Sequence, residues 1–408
     1  MKMLLHWIWF AEMPGITPLQ KRKLLERFQD PEELYHASAT ALAKWELPEK
    51  IQKALLEKDL QEAQKILRAC NKKNIGILPM TEAAYPARLR NTVDAPVLLY
   101  YKGVLPNWNE VPVIGVVGTR KATAYGLQVA YQLSSQIACC GGLVVSGGAE
   151  GADTEAMKGA LDAGFPVVGV LGCGVDVDYP RSNRKFFAAV TENGCLVSEY
   201  APGTGVKKWH FPARNRIISG MGNGVLVVEA PERSGALITA RLALEQGRDV
   251  FAVPGNINTP NHAGSNALLQ DGAIPVLSGW DVLREYETLY PNKVRKSDQP
   301  PKIFEKQTML KVAQTPVVSA SNLKDSESLQ KNPIDNGVKC SYIELGKNGS
   351  ALSNEEQAVL ALLTWQPQDS ADLIAKLDMP SGKVLSVLTM LAVKGLVYKH
   401  PGGRISLK

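Results

Sequence analysis

"VPVIGVVGTRKATAYG", Val111 to Gly126, is an apolar β-branched run that stops at a glycine and passes into a helical pattern. From Val113 to Val117 nothing polar interrupts it. A strand of that kind is buried on both faces, which in a parallel sheet means helices above and below. The runs "LVVS" (143–146), "VVGVL" (167–171), "CLVS" (195–198), "VLVVE" (225–229), "DVFAVPG" (249–255) and "IPVL" (274–277) repeat the theme, separated by amphipathic segments. Strands alternating with helices over residues 111–280 predict an α/β fold, a doubly wound and mostly parallel sheet. Its ligands bind beyond the carboxyl ends of the strands.

The flanks differ in character. Residues 1–75 are rich in Leu, Ala, Lys and Glu with helical spacing, as in "PLQKRKLLERF", and predict a small all-helical domain of SAM or helix-hairpin-helix type. Its turn "MPGITPLQ" (13–20) either offers helix-start N–H groups to a phosphate or merely joins two helices. Residues 80–290 hold the α/β domain. Residues 291–351 are dominated by Ser, Lys, Asn, Pro and Asp without periodicity, as expected of a flexible linker. Over 352–408, "SNEE" caps a first helix, "SADLIAKL" and "SGKVLSVLTMLAVKG" give two more, and "LVYKHPGGRISLK" reads as a hairpin. Three helices and a hairpin make a winged helix.

Composition narrows the function. The 408 residues are 45% hydrophobic and 21% charged with net charge +6, a globular balance compatible with a polyanionic partner. The six cysteines show no CxxC spacing and suit buried thiols in a reducing cytosol. With no run of eighteen apolar residues and a short, quickly charged amino terminus, neither a membrane span nor a signal peptide is expected, and the location implied is cytoplasmic. Five scattered histidines suggest no triad and no metal site, and nothing calls for a cofactor.

The strand ends carry the candidate chemistry. Gly118, Thr119 and Arg120 close the first strand, and Ser146, Gly147, Gly148 and Gly151 follow the second. Each stretch is either a nest of N–H groups for phosphate or a tight strand-to-helix turn. Neither contains GxGxxG, and the chain has no GxxxxGK[ST], which excludes an ATP-hydrolysing P-loop. Asp176 and Asp178 read as caps or turn formers. Arg184 and Lys185 lie early in a helix, facing an anion or only solvent. Ser234, Gly235 and Thr239 make a phosphate-friendly helix start or a plain cap. "KKWHFPARNRIISG" (207–220) sets Lys207, Lys208, Arg214 and Arg216 beside Trp209, His210 and Phe211. A phosphate chain with unstacked bases, a single nucleotide and a solvated loop all remain open for it.

Together, "GTR" (118–120), "SGGAEGAD" (146–153), "GCGVDVDYPRSN" (172–183), "SEYAPG" (198–203), "FPARNRIISG" (211–220), "VVEA" (227–230), "SGALITARLALEQGRDVFAVPG" (234–255) and "GSNALLQDGA" (264–273) resemble the DNA-processing protein A family (DprA, also called Smf). The resemblance covers most of residues 80–280, with Ala152 standing where the family commonly has a larger aliphatic residue. It implies a Rossmann-like, non-catalytic protein that binds single-stranded DNA, protects incoming strands in natural transformation, and loads the recombinase RecA as a homodimer. Phosphates would then lie on the N–H groups of Gly118, Gly147, Gly148 and Gly151, with Arg120 and Lys185 neutralising charge. Arg214, Asn215 and Arg216 would complete the pocket, and Phe211 either stacks on a base or lines the wall.

Two rival readings stand beside it. Nucleotide phosphoribohydrolases of the lysine-decarboxylase-like group share the glycine-rich style, yet their PGGxGTxxE run is missing from "ERSGALITARLALE" (232–245). Alternatively, the α/β domain is a platform and DNA binding belongs to the winged helix. That helix carries Ser381, Lys383, Ser386, Thr389 and Lys394, and the wing Lys399, His400 and Arg404. Duplex DNA and protein are both open as its partner.

Overall fold

The computed structural model describes residues 2–28, 30–43, 49–296, 354–363, 368–369, 373–374, 377, 379–393, 396–399 and 404–407. The chain divides into two compact units, Met1–Val318 and Ser319–Lys408. The expected linker lies outside the described residues from 297 onward.

The first unit opens with helices α1 (Lys2–Glu12), α2 (Pro18–Phe28), α3 (Pro31–His36), α4 (Ala39–Ala43), α5 (Glu49–Glu57) and α6 (Gln61–Lys73). Trp7, Ile8, Trp9 and Phe10 bury α1, and their cluster runs without a break into the core of the sheet. At the α1–α2 turn, Thr17 N–H donates to Gln20 Oε1 (2.9 Å) and Gln20 N–H donates back to Thr17 Oγ1 (3.3 Å). This reciprocal cap occupies two of the N–H groups at the turn. Polar ties fix the helices to the sheet: Tyr100 Oη donates to Glu12 (3.0 Å), and Lys73 pairs with Asp176 (2.5 Å).

The strands are β1 (Gly76–Pro79), β2 (Leu98–Gly103), β3 (Val113–Val117), β4 (Leu143–Ser146), β5 (Val167–Val170), β6 (Cys195–Ser198), β7 (Gly224–Val227), β8 (Asp249–Ala252) and β9 (Ile274–Pro275). They form one sheet in the order β1-β2-β6-β5-β4-β3-β7-β8-β9. From β6 to β9 all neighbours are parallel, and every residue of β3 to β7 is buried, as their unbroken apolar character requires. Strand order reverses at β3, between β4 and β7. Two strands the sequence pattern did not reveal extend the edge: β2 pairs antiparallel with β6, and β1 pairs antiparallel with β2.

The intervening helices are α7 (Ala87–Arg90), α8 (Ala124–Cys139), α9 (Ala152–Asp162), α10 (Arg184–Asn193), α11 (His210–Met221), α12 (Gly235–Glu245), α13 (Ala263–Gln270) and α14 (Gly279–Leu283). Thr123 caps α8, its Oγ1 accepting from Gly126 N–H (3.1 Å). No helix among the described residues is long and apolar enough to cross a membrane.

The second unit contains α15 (Asn354–Leu362), α16 (Ser381–Val393), β10 (Gln368–Asp369), β11 (Val397–Lys399) and β12 (Arg404–Leu407). Its strands form an antiparallel sheet in the order β10-β12-β11, over a core that includes Val359, Leu373, Val384, Leu388 and Ile405. Between the two long helices, Leu373 and Ile374 are helical. The helix-capping Ser353, Lys394, His400 and the Pro-Gly-Gly turn lie outside the described residues.

Close packing of α8 on α9 supports the sheet from one side, and Gly159 makes it possible. A Cβ there would sit 2.0 Å from the Tyr131 carbonyl oxygen. Gly159→Ala must therefore push two helix backbones apart and is expected to cost about 1–3 kcal/mol or more in urea unfolding. Gly205→Ala, where a Cβ meets nothing within 4 Å, should leave the midpoint unchanged.

Candidate functional site

The carboxyl ends of β3, β4 and β5 deliver three loops to one edge of the sheet, where the start of α11 meets them. A narrow recess there is lined by Gly147, Gly148, Leu171, Gly172, Tyr179, Phe211 and Arg214, among others. Gly172 lets the Phe211 ring approach, since a Cβ would lie 3.1 Å from it. Phe211 is half-buried, tilted against Tyr179 (centroids 5.4 Å apart), and the exposed Arg120 guanidinium lies over its face at 5.1 Å. Asn183 braces the rim, its Nδ2 donating to Gly148 O (3.1 Å) and Thr154 Oγ1 (2.7 Å). Arg181, Arg184 and Lys185 are exposed beside it, with Arg184 paired to Asp178 (3.2 Å). Asp176 does act as a turn former, accepting from Gly203 N–H (2.8 Å).

Several expected phosphate donors are already engaged. Asp153, buried in the first turn of α9, receives the N–H groups of Ala149, Gly118 and Gly147 on its carboxylate. Burial pushes its pKa up, while the nearby Arg214 charge and these three amides oppose that rise. Thr119 N–H donates to Glu229 O (2.8 Å), and Ser146 Oγ donates to Val116 O (2.6 Å). The nest expected at Gly118, Thr119, Ser146 and Gly147 is thus filled from within, because buried amides and hydroxyls must find acceptors whether or not a ligand is present. Gly148 (φ 62°) and Gly151 (φ 82°) differ. Their N–H groups have no acceptor among the described residues.

The basic segment also divides. Arg214 is buried and donates from Nη1 to Gly147 O (2.5 Å) and to Val170 O, so it ties strand ends together while its edge lines the recess. Burial lowers its pKa, against the pull of Asp153. Arg216 projects elsewhere, because residues two apart on a helix do not share a face. Its Nη2 reaches both oxygens of Glu199 (2.7 Å each) and its Nε lies 3.3 Å from Asp94. Asn215 donates to Gly235 O (3.3 Å), joining α11 to α12. Ser234 caps α12 by accepting from Ala236 N–H (3.3 Å), and Thr239 Oγ1 bonds back to Gly235 O (3.3 Å). Arg216, Asn215, Ser234, Gly235 and Thr239 make these bonds within the fold and are not among the residues lining the recess.

Sequence reasoning missed Asp153, Asn183 and Glu229. Glu229, fully buried after β7, accepts from Thr123 Oγ1 (2.8 Å) and Asn261 Nδ2 (2.7 Å). It closes the crevice between β3 and β7 where a doubly wound sheet usually takes its ligand. An acid at the end of an otherwise apolar strand was the available signal. His210, also buried, stacks on Tyr200 (3.8 Å) with its Nδ1 3.0 Å from Gly172 O. Trp209 stays exposed beneath Lys207, 5.5 Å from its ring.

A doubly wound sheet with its opening shifted from the β3–β7 crevice to the β4–β5 ends, joined in one chain to a winged helix, defines a Rossmann-like protein built around glycine loops. The family model for DNA recombination-mediator protein A matches residues 76–287, and that for the DprA winged helix domain matches residues 347–403. The chain belongs to the DNA recombination-mediator protein A family. It is 39% identical over 241 residues to the DNA processing protein DprA of Bacillus subtilis, covering 58% of this chain and 81% of that one. Over 406 residues it is 29% identical to protein Smf of Synechocystis, covering 98% and 97%. The crystal structure of DprA from Streptococcus pneumoniae superposes with a TM-score of 0.62 at 35% identity, over 70% of this chain and 99% of that one.

Arg216→Ala should destabilise the fold by about 3–5 kcal/mol, because Glu199 is left without its partner. Partial exposure of Glu199 and Asp94 places the loss at the lower end. Arg120→Ala should leave the urea midpoint unchanged, which distinguishes a structural arginine from a surface one.

Proposed function

We propose that the chain binds single-stranded DNA in the recess at the β4–β5 ends, without cleaving it. One observation carries this reading: an exposed guanidinium lies over a half-buried aromatic ring, beside two glycine amides that are still free. Phosphates would rest on the N–H groups of Gly148 and Gly151, with Arg120 and Lys185 supplying charge. Phe211 offers a face on which any base can stack. Gly118, Thr119, Ser146, Gly147 and Arg214 take the supporting role of shaping those loops. The relatives named as DNA processing proteins support a nucleic-acid ligand for this family. A non-catalytic role is supported by the state of Asp153 and Glu229, the buried acids at the strand ends, which are held in fixed hydrogen bonds.

Beyond binding, the family resemblance leads us to assign protection of incoming strands in natural transformation, loading of the recombinase RecA, and action as a homodimer. We keep the division into a helical block (1–75), an α/β DNA-binding domain (80–290), a linker (291–351) and a winged helix (352–408). In the last, Lys383 of α16 pairs with Glu355, while Leu385 and Met390 are exposed beside Ser386 and Thr389. That face suits a protein contact better than duplex phosphates.

Titration with labelled oligonucleotides at several salt concentrations tests the binding site. For Arg120→Ala/Lys185→Ala, the slope of log affinity against log salt should be shallower by about 1.4, at about 0.7 per lost phosphate contact. Phe211→Ala should cost about 1–3 kcal/mol of binding if the ring stacks on a base. A folded double variant that binds like the parent at every salt concentration would remove the proposed site.

A further inference from the structure

The strongest group outside the recess lies in the helical block. His6 sits on buried α1, and Glu32 and His36 are one turn apart on α3, so both present to the same side. One potential ligand atom from each lies within 4.8 Å of the others, and His6 Nδ1 is 3.8 Å from Glu32 Oε2. We propose that these three side chains bind a borderline divalent transition ion, Zn2+ in the first instance, which clips α1 to α3. An independent observation points to a ligand. The His6 side chain is only 8% exposed, yet its Nδ1, the atom that faces Glu32, has no hydrogen-bond partner. A buried ring nitrogen without a partner is uncommon, and an ion at that point supplies the missing bond.

The chemistry of the set is selective. Two imidazoles and one carboxylate suit Zn2+ and its neighbours far better than Mg2+ or Ca2+, which prefer oxygen. Bonds of about 2.0–2.1 Å in a tetrahedron place ligand atoms roughly 3.4 Å apart. The present separations therefore need to shrink by about an ångström or so, within reach of small rotations of half-buried Glu32 and exposed His36. The Tyr35 ring walls the site, 4.8 Å from His6 and edge-on to His36 at 5.3 Å. Exposure of His36 leaves the fourth position to water. Because the ligands come from two helices with no zinc-motif spacing, the sequence pattern alone left these histidines unconnected.

The test uses the full-length protein, stripped with a chelator and titrated with Zn2+ by calorimetry and with Co2+ by visible absorption. One equivalent of Zn2+ should bind, Co2+ should give the intense bands of a four-coordinate ion, and melting temperature should rise with Zn2+ but not with Mg2+. His36→Ala and Glu32→Gln lie at the surface and should stay folded. Each should weaken Zn2+ by no less than the roughly ten- to hundredfold typical of losing a supporting group at a metal site. Absence of binding at millimolar Zn2+, or binding that both variants leave unchanged, would overturn the proposal.

Discussion

The Asp153 carboxylate is the point on which the recess depends. It lies buried beneath three strand ends and gathers N–H groups from the loops after β3 and β4. A charge in that place is costly, and the three amides together with Arg214 offset part of the penalty that burial imposes. Arg214 in turn bonds the carbonyls at the ends of β4 and β5. Carboxylate and guanidinium thus hold the glycine loops from inside, one through their amides and the other through their carbonyls. A loop held this way keeps its shape before any ligand arrives, which lowers the ordering cost of binding.

This internal filling changes what the glycine loops mean. Glycine-rich strand ends are often read as empty cradles for phosphate. Here half of each cradle is occupied by the protein's own acids: Asp153 takes amides, while the Glu229 backbone takes Thr119 and its side chain closes the β3–β7 crevice. The recess lies to the side, lined by Gly148 and Phe211, with the exposed Arg120 guanidinium over the ring. Under the proposed function, the Gly148 and Gly151 amides and the exposed Arg120 and Lys185 would serve an extended phosphate chain better than one enclosed nucleotide.

The parallel strands were legible because each is a short, mostly apolar run, and burial of the central ones on both faces favours that composition. The edge strands β1 and β2 were not. "GILP" ends in proline and "LLYYKG" lacks a clear period, so their strand character depends on pairing: β2 with β6, far away in the chain, and β1 with β2. At the site, Arg120, Phe211 and Lys185 were legible as cations and a ring near strand ends. Arg214 and Arg216 looked equivalent in "ARNR" until helical geometry sent one to backbone carbonyls and the other to Glu199. No local pattern reveals that an aspartate two residues after Gly151 will claim amides from two separate loops.

Amide hydrogen exchange of the full-length protein, with and without a single-stranded oligonucleotide, addresses the central claim most directly. Gly118, Thr119 and Gly147 should be protected in the free protein, since their N–H groups already have acceptors. Gly148 and Gly151 should exchange quickly when free and slow markedly once the strand is bound. Protection of Gly148 and Gly151 before any DNA is added, or no change at either on binding, would contradict the account.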